Sequence, residues 1–88
     1  MFDLTILTVQ QAIKALDLMS REEALIVLQK EEQIDKMERK FRREHIVRMN
    51  EGLCTGTAGV VFVDIISNLE RIGDHAANIA EEVLDIYN

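Results

Sequence analysis

An all-α fold, an antiparallel three-helix bundle with two long helices and one shorter one, is predicted by three features of the sequence. Apolar residues recur at three-and-four spacing along most of the 88 positions, the period of an amphipathic helix. There is no Pro and only 5% of residues are aromatic, so aliphatic and long-chain helix formers run uninterrupted. Helix-ending signals fall in only two places. The chain is read as one domain over residues 1–88, and at this length it buries a smaller share of its surface than a larger protein, so its stability is expected to need help.

The first helix is placed over residues 3–19, with Leu4, Leu7, Ala12, Ile13, Leu16 and Met19 as its apolar residues. It ends before Ser20-Arg21-Glu22-Glu23, a capping box in which the Ser20 hydroxyl and the Glu23 carboxylate satisfy each other's orphan backbone donors. The second helix spans 21–50, and its Val27, Ile34, Met37, Phe41, His45 and Met49 form one stripe facing a core. Asn50-Glu51-Gly52 closes it, because Gly accepts a left-handed backbone without penalty. Thr55 and Thr57 are candidate caps for a third helix over 57–87. Its core line is Ala58, Phe62, Ile65, Leu69, Ile72, Gly73, Ala76, Ala80, Val83 and Tyr87, where Gly73, Ala76 and Ala80 permit close helix approach. The two long helices reach roughly 45 Å and the first only about 25 Å. The far end of the hairpin, with Phe41, Met49, Ala58, Phe62 and Ile65, is therefore expected to need cover from another copy or a neighbouring segment.

Composition narrows the function. A net charge of −6 argues against a nucleic-acid surface and in favour of cationic partners. The single cysteine, Cys54, offers no internal disulfide, which fits a reducing cytoplasm. The apolar run Val60–Val63 is broken by Asp64, far short of the ~20 residues of a membrane helix. Met1-Phe2-Asp3 lacks the basic start of a signal peptide.

The acids carry the most chemistry. Glu31 and Asp35 lie four apart on helix two, and Glu70 and Asp74 four apart on helix three, so each pair shares a face. With the turn near Leu53, residues whose numbers sum to about 107 stand at one height. Asp35 is then opposite Ile72, and all four acids flank one groove at one level. Such like charges repel unless a cation converts the repulsion into affinity. An oxygen-rich site suits Mg, Ca, Mn or iron. The plain alternative is a solvated face paired with Lys30, Lys36 or Arg71, the commoner fate of acids at helical spacing.

Other tempting residues have duller readings. His45 sits on the apolar stripe as a hydrogen-bonded packing residue. His75 projects about 140° around the helix from Glu70. Glu38 and Glu81 border the same faces and are candidate extra ligands, though a solvated surface is the better reading, and Cys54 reads as a loop cysteine.

The segment Asn68-Leu69-Glu70-Arg71-Ile72-Gly73-Asp74-His75-Ala76-Ala77-Asn78-Ile79-Ala80-Glu81 resembles the signature that closes a repeat of the PhoU family, and Glu31-Glu32-Gln33-Ile34-Asp35 resembles that family's other acidic motif. The pattern from His45 through Gly52 and Cys54 to Phe62-Val63-Asp64-Ile65 is similar to PhoU-like tails of sodium/phosphate cotransporters. The resemblance covers helices two and three, with helix one matching in length and amphipathicity. It implies a three-helix bundle and iron or zinc held by Glu31, Asp35, Glu70 and Asp74, zinc departing from the ligand-softness argument. It also implies a cytoplasmic regulatory domain at the inner face of a membrane, partnered by the membrane portion of the same protein or by a phosphate-transport system. A full PhoU protein has two such repeats, so one repeat is expected to pair with a second copy. The alternatives are a soluble PhoU-type regulator and a purely structural oligomerisation module. A di-iron carboxylate enzyme is disfavoured: its sites use Glu-x-x-His, whereas Arg42 and Ile72 stand three before His45 and His75.

Overall fold

Three α-helices follow one another in a computed structural model that describes residues 1–52 and 56–86: α1 over Phe2–Leu18, α2 over Arg21–Asn50 and α3 over Gly56–Ile86. Each helix packs on the other two, giving a rod of 51 × 17 × 16 Å. Among the described residues there is no strand, and no helix is long and apolar enough to cross a membrane.

The helix ends have local causes. Met19 takes a left-handed conformation, and the amides of Met19 and Ser20 return to the carbonyls of Leu16 and Ala15, closing α1 by a Schellman motif with Met in the position where Gly is usual. Ser20 then caps α2, its Oγ accepting from the Glu23 amide at 3.3 Å. Only half of the expected capping box forms. The Ser20 amide is already bound to Ala15 O at 3.0 Å, so the Glu23 carboxylate turns to Lys14 Nζ at 3.4 Å. At the other end, Gly52 has φ +72 and donates to Met49 O at 3.1 Å, the left-handed stop expected of it. Of the two candidate caps for α3, Thr57 lies inside the first turn and Thr55 lies outside the described residues, as do Leu53, Cys54 and Tyr87.

The hairpin register agrees with the sum near 107. A Cβ placed on Gly73 would stand 3.2 Å from Ile34 Cδ1, and the His45 ring lies 4.9 Å from that of Phe62. Glycine at 73 lets the helices close on fully buried Ile34. The core beside it is built from Ala12 and Ala15 of α1, Ala24 and Val27 of α2, and Ala76, Ala80 and Val83 of α3.

Helix α1 corrects the sequence reading. Its buried residues are Thr5, Thr8, Ala12 and Ala15, whereas Leu7, Ile13 and Leu16 are 51, 51 and 48% exposed. Small side chains bring α1 close to the hairpin. The two threonines enter the core without cost in unmet polarity, because Thr5 Oγ1 donates to Met1 O at 2.9 Å and Thr8 Oγ1 to Leu4 O at 2.6 Å. On α3, Ile65 and Ile72 are likewise exposed. At the hairpin end, Phe41 and Phe62 are half-buried, with Met1 beside them, while Met49, Ala58 and Ile65 remain exposed.

Candidate metal centre

The register that pairs Ile34 with Gly73 sets Glu31 of α2 beside Glu70 and Asp74 of α3. Each of these three carboxylates places an oxygen within 4.8 Å of the others, an arrangement built by i,i+4 spacing on α3 and by the antiparallel packing of α2. Glu31 and Glu70 are half-buried and Asp74 is exposed, so the cluster sits at the edge of the helix seam with one side open to water.

Its electrostatics match that position. Burial, hydrogen bonding to the Asp74 carboxyl, and repulsion from Asp74, Asp35 and Glu70 push Glu31 up to about 7. Glu70 is also raised, first by burial and then by the charge and hydrogen bonding of Asp74, with Asp35 and Glu38 adding repulsion. Both shifts follow from crowding anions where water only partly reaches them.

Asp35 does not complete the cluster. Its carboxylate pairs with Arg39, one helical turn on, although it remains near enough to repel Glu31 and Glu70. The i,i+4 spacing of Asp35 and Arg39 was visible in the sequence, but spacing alone does not decide whether an acid turns to its own helix or across the groove.

Glu38 differs from the solvated surface acid expected. It is 8% exposed and accepts from Arg42 Nε at 2.6 Å, while Arg42 Nη2 donates to Ser67 Oγ at 3.0 Å on α3. The chain of contacts fixes Glu38 as a bridging residue between α2 and α3. Of the other residues weighed, Glu81 and His75 are exposed. His45 is a packing residue, 2% exposed against Phe62. Its Nε2, however, meets no hydrogen-bond partner among the described residues, contrary to the expectation of a hydrogen-bonded ring. Lys30, one of the basic neighbours in the plain alternative reading, reaches Gln11 Oε1 of α1 at 3.4 Å.

The donor set is all carboxylate oxygen. It fits a hard or borderline cation such as Mg, Ca, Mn or iron, with water filling the open side. Among the described residues no His or Cys joins the cluster, so it fits the nitrogen- and sulfur-preferring chemistry of zinc less well.

Comparison with known proteins adds the family. The model of the PhoU domain matches residues 1–83. The chain is 38% identical over 86 residues, 98% of its length, to the phosphate-specific transport system accessory protein PhoU homolog 1 of Thermotoga maritima, of which it spans only 37%. No solved structure matches. The signature around Glu70 and Asp74, the three-helix architecture and a family match over nearly the whole length lead to one identification: this chain belongs to the PhoU domain family.

Proposed function

We propose that this chain is a regulatory and interaction domain of phosphate uptake that binds a cation through Glu31, Glu70 and Asp74, with Asp35 recruited when it leaves Arg39. The observation that carries the cation part is the convergence of three carboxylates from two helices within 4.8 Å. Bound metal would neutralise them and tie α2 to α3, making the rigidity of the hairpin respond to the ion. The regulatory part rests on the family and on the relative named as an accessory protein of phosphate-specific transport. In this reading the chain has no catalytic role and works in the cytoplasm at the inner face of the membrane. Its partner is a transporter portion of the same protein, as in sodium/phosphate cotransporters, or a separate phosphate-transport system. The relative's name favours the second arrangement.

A second three-helix unit belongs to the same reading. Phe2, Ile6, Val9, Ile13 and Leu16 recur at four-and-three spacing along the side of α1, beside Leu69 and Ile72 of α3. A continuous apolar stripe of this kind on so small a bundle is the face a helical partner covers, and the matched relative is long enough to carry more than one such unit.

The test is phosphate uptake by the host cell. Replacing Glu70 and Asp74 with Ala in the chromosomal copy should alter the rate of uptake in phosphate-replete medium, with the protein present at its normal level. Uptake unaffected both by this variant and by complete deletion would remove the regulatory reading. Uptake changed by deletion alone would remove the cation from it.

A further inference from the structure

Basic residues are concentrated in one part of α2. Thirteen positions, Lys36 to Arg48, hold six of the ten Lys and Arg residues but only Glu38 and Glu44 of the sixteen acids, leaving +4 there and −10 in the remainder. Two of the six are engaged toward α3. Arg42 binds Glu38 and Ser67, and the Arg48 guanidinium lies 5.5 Å over the Phe62 ring. The other four, Lys36, Arg39, Lys40 and Arg43, line an open hollow of about 440 Å³ on the outer side of the helix. Their spacing gathers them within roughly a 100° arc and about 10 Å of helix length.

The ties that hold these four are weak. Among the described residues Lys36 and Arg43 meet no acid partner. Arg39 pairs with Asp35, and Lys40 with Glu44 at 3.9 Å, both one helical turn apart and open to solvent. Pairs of that kind contribute about 0–1 kcal/mol, so a ligand of several charges exchanges them at little loss. Lys36 with Lys40, and Arg39 with Arg43, are also like charges at i,i+4, a destabilising arrangement. A shared anion converts that repulsion into affinity.

The surroundings limit what the occupant is. No aromatic or aliphatic residue lines the hollow, so nothing there stacks on a base or anchors a protein partner, whose interfaces bury about 800 Å² per side around such anchors. Exposed Glu32 and Glu44 bracket the four cations along the helix, and exposed Glu22 lies farther along the same outer side. An extended anionic surface laid along α2, whether lipid or nucleic acid, would press against those acids. A ligand about 10 Å long meets only the cations. Guanidinium forks and ammonium groups both suit phosphate oxygens, and a condensed phosphate concentrates several charges in so short a span.

We infer that Lys36, Arg39, Lys40 and Arg43 form a site for a short condensed phosphate chain, with Arg39 leaving Asp35 to join it. Glu31 leaves α2 about 140° around from Lys36, so the hollow is distinct from the acidic seam. The inference does not depend on what that seam binds.

Isothermal titration of the cation-free chain with sodium tripolyphosphate tests it, at about 50 mM and again at about 300 mM salt. Saturable binding is expected, at least about tenfold tighter than that of inorganic phosphate or citrate, and at least about fivefold weaker at the higher salt. With helicity unchanged, Lys36→Gln/Lys40→Gln/Arg43→Gln should lose at least about tenfold in affinity. Asp35→Asn, which frees Arg39, should gain about threefold. No binding by the wild-type chain, equal affinity for citrate, or a triple variant that binds like wild type would overturn the inference, and no gain in Asp35→Asn would overturn the part given to Arg39. Tighter binding of ATP than of tripolyphosphate would also overturn it, by placing a base in contact with the protein. So would binding to vesicles rich in phosphatidylglycerol without binding to tripolyphosphate, which would assign these residues to a lipid surface.

Discussion

Glu31 carries a carboxyl pushed well above its ordinary range by partial burial and neighbouring acids. Its folded-state pKa is raised from 4.5 to about 7, so without cation the folded chain holds a proton there that the unfolded chain has already lost. That proton's contribution to stability is fully present below about pH 4.5 and is lost as pH rises toward 7. Glu70 acts in the same direction. Solvent screening at this half-exposed site limits the loss to the order of 1 kcal/mol. Urea titrations of cation-free protein at pH 4.5, 6 and 8 should show that decline, and Glu31→Gln should flatten it. Gly59 supplies a second residue-scale prediction. A Cβ there would stand 2.9 Å from His45 Nε2, and the ring is held by Phe62 and its own burial. Gly59→Ala should therefore destabilise by about 1–3 kcal/mol in urea unfolding despite the better helix propensity of Ala. Helical spacing together with a turn near Leu53 sets Glu31, Asp35, Glu70 and Asp74 at one height, and three of the four, Glu31, Glu70 and Asp74, do meet. The turn of Asp35 toward Arg39 was not legible, since the competing partners differ by a side-chain rotation that sequence does not specify.

At the scale of the element, the ends of the helices are set by two unlike stops. Gly52 adopts its left-handed conformation with nothing within 4 Å of a prospective Cβ, so Gly52→Ala should cost about 1 kcal/mol from backbone strain alone, measured by chemical denaturation. Met19 takes the same conformation without glycine, and no sequence signal marks it. The long helices were read within a residue or so of their described ends, because a long apolar period and a glycine stop are strong local determinants. The face of α1 was not. Its large aliphatic residues suggested a core stripe, yet the bundle buries Thr5, Thr8, Ala12 and Ala15. Helical threonines satisfy their hydroxyls on the preceding turn, so a small polar face competes successfully with a bulky apolar one whenever close packing is required. The apolar period of α1 thus lies largely on the outside of the bundle, on the side proposed to meet a second helical unit.

For the whole molecule, the proposed docking side of α1 and the proposed cation seam share one rod. If Phe2, Ile6, Val9, Ile13 and Leu16 meet a second copy, sedimentation equilibrium should show self-association that Ile13→Glu weakens at least about tenfold, since a charge would be buried without a partner. The proposed role of the seam requires that α2 and α3 together hold an ion. Isothermal titration of the cation-free chain with Mn²⁺ at pH 8 tests this most directly, with Glu31→Gln/Glu70→Gln as the comparison. Saturable binding to wild type that disappears in the double variant, with unchanged helicity in both, is the predicted result. No heat of binding in the wild type, or the same affinity in the variant, would contradict it.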